Sequence, residues 1–452
     1  MRTLIFAPVT FNLAETTRMI VIARALGPEW RAIFQVYEDP YTHLIRDAGF
    51  EVRRLAPVLT PDQQAQALAL DQGRSIRHQF STRLVRARVA AERRLIRQTG
   101  AEAVVMGTNV TSLISARAEA VPLFYAVPFA LTRPHVEQTA RLGLVPGSGP
   151  LPGAPDAVRG VLDAVPGALA AVSGAVSGAL DAVSDAVSSA VRGALDAAVS
   201  AAFRLVYDRL PIAPRAFTVV AREVGVPPLR TGAALFEGDI NLLTVMGSEL
   251  AGYSLPAGYR RVGPIFAELP GEVPPVVREL AAGPRPLVYL ALGSSGDRRT
   301  VLAAVASLAR LDVEVVAPVR HLLEPGDESE LPERVHLVDL LPAHRLGGLV
   351  DAAVIHGGQG TVQTACATGV PFVGMGMQPE QSWNIAVCAR EGNAIALPRR
   401  AAGTRRLTEA VRALLTDPRY RQAADRVQAE FAAEDGAAAA VAAIEEVLGA
   451  AG

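Results

Sequence analysis

The stretch His356-Gly357-Gly358-Gln359-Gly360-Thr361, followed by Gln378-Pro379-Glu380-Gln381-Ser382-Trp383-Asn384, decides how this chain is read. Just upstream, residues 351–355 (Asp-Ala-Ala-Val-Ile) form a short apolar run, as expected of a buried parallel strand. Downstream, residues 361–368 predict a helix ended by Gly369, with Pro371 just beyond. A glycine-rich turn feeding a helix start offers backbone N–H groups and the positive end of the helix dipole to an anion. Gly357, Gly358 and Gly360 let the chain turn sharply and let phosphate oxygens approach the backbone. His356 can donate a hydrogen bond to a phosphate oxygen. The plain alternative is a tight strand–helix turn that binds nothing. The acid–amide pair Glu380-Gln381, suited to sugar hydroxyls, weighs against it.

Residues 351–397 resemble the donor-binding motif of the family 1 glycosyltransferases. The His-Gly-Gly-x-Gly-Thr turn, the Gly-Val-Pro step and the acid-Gln-x-x-Asn pattern are met by residues 356–361, Gly369-Val370-Pro371 and Glu380-Gln381-Ser382-Trp383-Asn384. The resemblance implies a GT-B fold, UDP- or dTDP-sugar donors, inversion and no metal or other cofactor. It implies that His356 and the backbone at Gly360 and Thr361 hold the diphosphate. Glu380 and Gln381 would grip sugar hydroxyls, and Asn384 would sit near the phosphates. Glu380 stands where many members have Asp.

At 452 residues the chain is long enough for two ordinary domains. Half of it is hydrophobic and 20% is charged, with a formal net charge of −1, which argues against a nucleic-acid partner. All 44 basic residues are Arg, so a Lys nucleophile or Schiff base is excluded. Cys366 and Cys388 fall in apolar helical stretches and read as small core residues, without zinc-ligand spacing. Neither a signal peptide nor a spanning apolar run is legible, so the expectation is a soluble cytoplasmic enzyme.

The first half alternates strand and helix signals, with strands at 3–7, 31–36, 51–55, 103–106 and 123–126 and a long helix over 76–98. The second half repeats the alternation, with strands at 286–292, 313–316, 335–337, 352–355 and 372–373. Two Rossmann-like, doubly wound parallel-sheet α/β domains facing a cleft follow: an acceptor-binding domain over 1–245 and a donor-binding domain over 246–452. The linker is placed at 243–258 or 269–275. Ligands in such sheets sit beyond the carboxyl ends of strands, where Gly293-Ser294-Ser295 and residues 356–361 both fall. In related enzymes the Gly-Ser turn also touches the donor phosphates, and backbone groups near Leu341 fit the family's base-recognition loop.

Residues 147–203 form an Ala/Val/Ser-rich insertion in the first domain. Within 156–203, units beginning at Gly160, Gly167, Gly178 and Gly193 start 7, 11 and 15 residues apart, which are whole helical turns. The segment reads as a helix or hairpin against the first domain. A lid over an apolar acceptor and a membrane-surface helix are the alternatives. The polar face has no basic residue apart from Arg159 and Arg192, which counts against an anionic lipid surface.

In the resembling family a Gly-His pair after the first strand supplies the general base, assisted by an Asp from a later loop. Aligning Ile22-Ala23-Arg24-Ala25-Leu26 with the family's apolar run puts Glu15 at the His position and Asn109 near the Asp. Glu15 is the candidate base and Asn109 its partner; first-turn helix placement is the competing explanation of Glu15. Arg18 could pair with Glu15 on one helix turn. Phe11 and Asn12 would face the acceptor. The chain is expected to be an inverting, metal-independent glycosyltransferase that uses a UDP- or dTDP-sugar and a small apolar acceptor. The alternative is a catalytically weak nucleotide-binding auxiliary protein of the same fold.

Overall fold

The computed structural model describes residues 1–37, 40–71, 78–138, 205, 207, 209 and 213–450. The insertion at 147–203 lies outside the described residues.

Short apolar runs become the inner strands, buried on both faces as parallel sheets require, with more polar strands at the edges of the first sheet. Seven strands form the first sheet: β1 (Arg2–Ala7), β2 (Trp30–Val36), β3 (Glu51–Arg54), β4 (Ala103–Met106), β5 (Leu123–Val127), β6 (Ile240–Leu243) and β7 (Tyr259–Arg261). Their order is β3-β2-β1-β4-β5-β6-β7, all parallel. Six more form the second: β8 (Leu287–Ala291), β9 (Glu314–Ala317), β10 (Val335–Leu337), β11 (Ala352–Ile355), β12 (Phe372–Gly374) and β13 (Ala394–Ala396), in the order β10-β9-β8-β11-β12-β13. The two-sheet plan is the one expected.

The strand order reverses between β1 and β4 in one sheet and between β8 and β11 in the other. Those reversals open crevices beyond the strand ends. The loops after β1 and β4 carry Phe11, Asn12 and Asn109, and Glu15 stands in the first turn of the helix after β1. The loops after β8 and β11 carry Ser294, Ser295 and residues 356–361.

Several boundaries differ from expectation. Strand β7 pairs with β6, so the first sheet runs to Arg261, past a domain boundary at 245. The 243–258 linker position therefore falls inside the first domain; residues 269–275 lie between the sheets. The long helix begins at Thr82, not 76, because the Ser81 side chain accepts the Leu84 N–H and caps it. The helix after β11 runs Gln359–Ala367, two residues earlier than expected, with Gly358 at its cap. The C-terminal helix Gly436–Ala450 returns to the first sheet. Ala440, Val441, Ile444 and Leu448 join Leu4, Phe6, Met19 and Ile22 in one buried cluster, and Trp30 Nε1 donates to Glu445 at 2.8 Å. Among the described residues, no helix is long and apolar enough to cross a membrane.

Candidate active site

The donor cradle is built on the second reversal. The first i to i−4 bond of the Gln359–Ala367 helix joins Val362 N–H to Gly358 O at 3.0 Å. The N–H groups of Gln359, Gly360 and Thr361 therefore stand at the open helix end with no intrahelical acceptor. His356 leads into this end. Its ring Nδ1 faces the Ala291 carbonyl at 3.4 Å, and its Nε2 edge lies against two bare glycines. A Cβ would meet Nε2 at 2.8 Å from Gly293 and at 2.5 Å from Gly358. Burial pushes the His356 pKa down to about 4, so the ring is neutral at pH 7. An arriving diphosphate would raise it again, because opposite charge favours the imidazolium.

The acid-amide motif occupies the start of the Pro379–Glu391 helix. Asn384 Nδ2 donates to Glu380 Oε1 at 2.6 Å and to the Gly357 carbonyl at 3.0 Å, fixing the motif to the glycine turn. Gln381 accepts the Met377 N–H at 2.9 Å and donates to Ser295 Oγ at 2.9 Å. It is buried and works as a strut between the turn after β8 and the loop after β12, with both amide ends engaged inside the protein. Ser294 shares the Gly293–Ser295 turn that follows β8. The Leu341 side chain is buried, and its carbonyl already accepts the Ala343 N–H at 2.8 Å.

Trp383, inside the same motif, points away from the cradle. Its Nε1 donates to Glu249 at 2.8 Å, and its ring packs with His135, Phe129 and Tyr253. All four of those partners precede the second sheet, so this tryptophan joins the two halves. Burial pushes the Glu249 carboxyl up to about 7. The folded protein thus keeps a proton that the unfolded chain loses near the ordinary Glu range. This contribution to stability is complete at low pH and is lost as pH rises through 7. Glu249→Gln, which still accepts from Trp383, is expected to be more stable than wild type by about 3 kcal/mol at pH 8 and by no more than about 1 kcal/mol at pH 5. Urea unfolding at the two pH values checks this; a pH-independent difference would contradict it.

On the first reversal, Glu15 is buried and heavily bonded. Its Oε1 accepts the Val9 N–H at 2.6 Å and the Thr108 N–H at 3.0 Å; Oε2 accepts Thr108 Oγ1 at 2.7 Å. Asn12 caps the helix, its Oδ1 accepting the Glu15 N–H at 3.2 Å. A Cβ on Gly107 would overlap the Glu15 carboxyl. Burial raises the Glu15 pKa, partly offset by the bonds from Val9 and Thr108 and by the more distant charge of Arg18.

The expected partner is not brought to Glu15. Asn109 Nδ2 donates to Ser112 at 3.0 Å and Glu92 at 3.3 Å, in a network where buried Glu92 also accepts from Tyr37, Thr111 and Ser115. Thr108, its neighbour, holds Glu15 instead. Arg18 does not pair with Glu15 either; its Nη2 donates to Gln359 Oε1 at 2.5 Å, across to the donor helix. Phe11 is partly buried in a cluster with Leu59, Ala67, Phe80 and Leu84. Thr108 and Glu249 carry no local pattern that singles them out, and helix spacing marked Arg18 only as a partner for Glu15. The Asn109 position marked the right loop but the wrong residue of it.

Comparison with known proteins finds glycosyltransferases among both relatives and solved structures. Residues 301–447 match the erythromycin biosynthesis protein CIII-like C-terminal domain. A 4'-demethylrebeccamycin synthase from Lentzea aerocolonigenes is 36% identical over 240 residues, 51% of this chain and 56% of that protein. The chain thus spans little more than half the length of that relative. A PGL/p-HBAD biosynthesis glycosyltransferase from Mycobacterium tuberculosis is 24% identical over 435 residues, covering 95% of this chain and 88% of the relative. Among solved structures, the glycosyltransferase VinC in complex with dTDP shares the fold, with a TM-score of 0.62, 19% identity and 99% of each chain covered.

Proposed function

We propose that the chain, similar to the family 1 glycosyltransferases of the GT-B fold, moves a sugar from a dTDP- or UDP-linked donor to a hydroxyl of a small apolar acceptor, a natural product or lipid. The transfer inverts the anomeric carbon and uses no metal. The observation that carries this reading is the cradle at the second reversal, where three open helix N–H groups stand beside the His356 edge, which bare Gly293 and Gly358 let approach the turn closely. The dTDP in the VinC complex favours a dTDP-sugar. The names of the two relatives support the acceptor class.

In the proposed step the acceptor oxygen bonds to C1 of the sugar from the face opposite the diphosphate. The C1–O bond breaks and its electron pair passes to the phosphate oxygen. The backbone N–H groups of Gln359, Gly360 and Thr361, with His356, take up that charge. Glu380, oriented by Asn384, reads a sugar hydroxyl. Glu15 takes the acceptor proton, and Thr108 rather than Asn109 orients it.

Purified protein incubated with dTDP-glucose, UDP-glucose, UDP-GlcNAc or GDP-mannose and a set of hydrophobic acceptors should release dTDP or UDP only when acceptor is present, and equally in EDTA. Turnover abolished by EDTA would overturn the metal-free mechanism. Tight nucleotide binding without turnover over the whole set would favour an auxiliary protein.

A further inference from the structure

Arg18 is the unusual residue of the seam between the domains. It lies on the Leu13–Arg24 helix of the first domain and is 5% exposed. Its one hydrogen bond goes to a neutral amide, Gln359 Oε1, at 2.5 Å. The Nε is buried with no partner, and among the described residues no carboxylate reaches ion-pairing distance of the guanidinium. Glu15 and Glu380 act on it only through space, and burial pushes its pKa down. A buried cation held by one neutral acceptor is costly unless an anion completes its surroundings.

The position of Arg18 says which anion. Gln359 is the first residue of the donor helix and lies between two of the cradle glycines. One turn before Arg18, on the same helix face, Ala14 packs so closely that its Cβ would be 3.2 Å from a Cβ on Gly360. The N-terminal ends of two helices, one from each domain, therefore meet at Ala14 and Gly360, one turn from Arg18. Both present positive dipole ends to the same space.

We propose that Arg18 is the acceptor domain's own contact for the diphosphate of the bound donor, with its guanidinium, braced by Gln359, donating to a phosphate oxygen. The inference rests on the donor reading given above. During transfer Arg18 exchanges no proton. It donates a hydrogen bond to the oxygen that receives the electron pair of the breaking C1–O bond. Because this cation comes from the domain opposite the cradle, full grip on the diphosphate requires both domains together.

The test compares dTDP with thymidine, which lacks the diphosphate, by calorimetric titration of wild type, Arg18→Met and Arg18→Lys. Arg18→Met should lose about 10- to 100-fold in dTDP affinity, the size of a lost charge-assisted contact, with thymidine affinity unchanged. The kcat of donor turnover should fall as well. Arg18→Lys should recover part of the dTDP affinity, since it restores the charge without the planar fork. A residue that merely pins the domains together would lower thymidine and dTDP binding alike, and that result overturns the proposal. Equal dTDP affinity in wild type and Arg18→Met overturns it too. If Arg18→Met does not fold, Arg18→Lys decides: an unchanged dTDP-to-thymidine affinity ratio overturns the proposal. Wild type that binds no nucleoside diphosphate sinks the donor reading and this inference with it, whereas failure of the Arg18 comparison alone leaves the donor reading standing.

Discussion

Glu15→Gln should lower kcat by about 10²- to 10⁴-fold, the usual worth of a positioned general base, while dTDP affinity stays within about twofold. The substitution is close to isosteric. A Gln carbonyl oxygen can still accept the Val9 and Thr108 N–H groups that hold Glu15 Oε1 at 2.6 and 3.0 Å, and the Thr108 hydroxyl can turn to accept from the new amide. What is lost is the ability to take a proton. The pH profile separates this from a packing effect. Burial holds the Glu15 carboxyl above its ordinary range, so wild-type kcat/KM should rise with pH along a limb displaced upward from that of an exposed Glu. In Glu15→Gln that limb should disappear. Unchanged turnover in the variant would make Glu15 a brace between the loops after β1 and β4 and nothing more. Its three acceptor bonds are compatible with either role, which is why the proton must be followed.

Gly357→Ala should strike the donor side hardest. Gly357 has φ +88°, a left-handed conformation that an alanine adopts only with strain. The added Cβ would stand 2.5 Å from Ile385 Cδ1 and 2.8 Å from the carbonyl oxygen of Gln381, and a backbone atom cannot swing aside. The Gly357 carbonyl also receives the Asn384 amide that orients Glu380. Strain and overlap together should cost about 2–4 kcal/mol of stability and at least about tenfold in dTDP affinity. Gly348→Ala is the control, with φ +74° but open space around its Cβ, so it should lose only the smaller strain and bind dTDP normally. Urea unfolding and nucleotide titration of both variants read the difference. Equal behaviour of the two would show that the close approach at Gly357 is immaterial.

The donor half was legible because its chemistry is local in sequence. Strand, glycine turn, helix start and acid-amide motif follow one another within about thirty residues, and backbone geometry alone places them at the second reversal. The edge strands β7 and β13 were missed for a physical reason. Three residues such as Tyr-Arg-Arg or Ala-Ile-Ala carry too little alternation to show a period, and only a neighbouring strand makes them strands. The acceptor half was legible only to the nearest loop. The family resemblance led to Asn109, but consecutive side chains point in different directions. The fold turned Thr108 toward Glu15 and Asn109 toward Glu92. Arg18 and Gln359 are 341 residues apart, and no local pattern joins them.

The return of the Gly436–Ala450 helix to the first sheet sets terms for anyone who would recombine this protein. A chimaera made by a single cut near residue 262 carries a foreign last helix into a native socket shaped by Met19, Ile22 and Trp30. An exchange of donor specificity is better made with two cuts, the second near Asp435, so that the transplanted segment is internal and the host keeps its own tail. Arg261 and Glu434, which pair with each other beside those two cut points, should then come from the same parent.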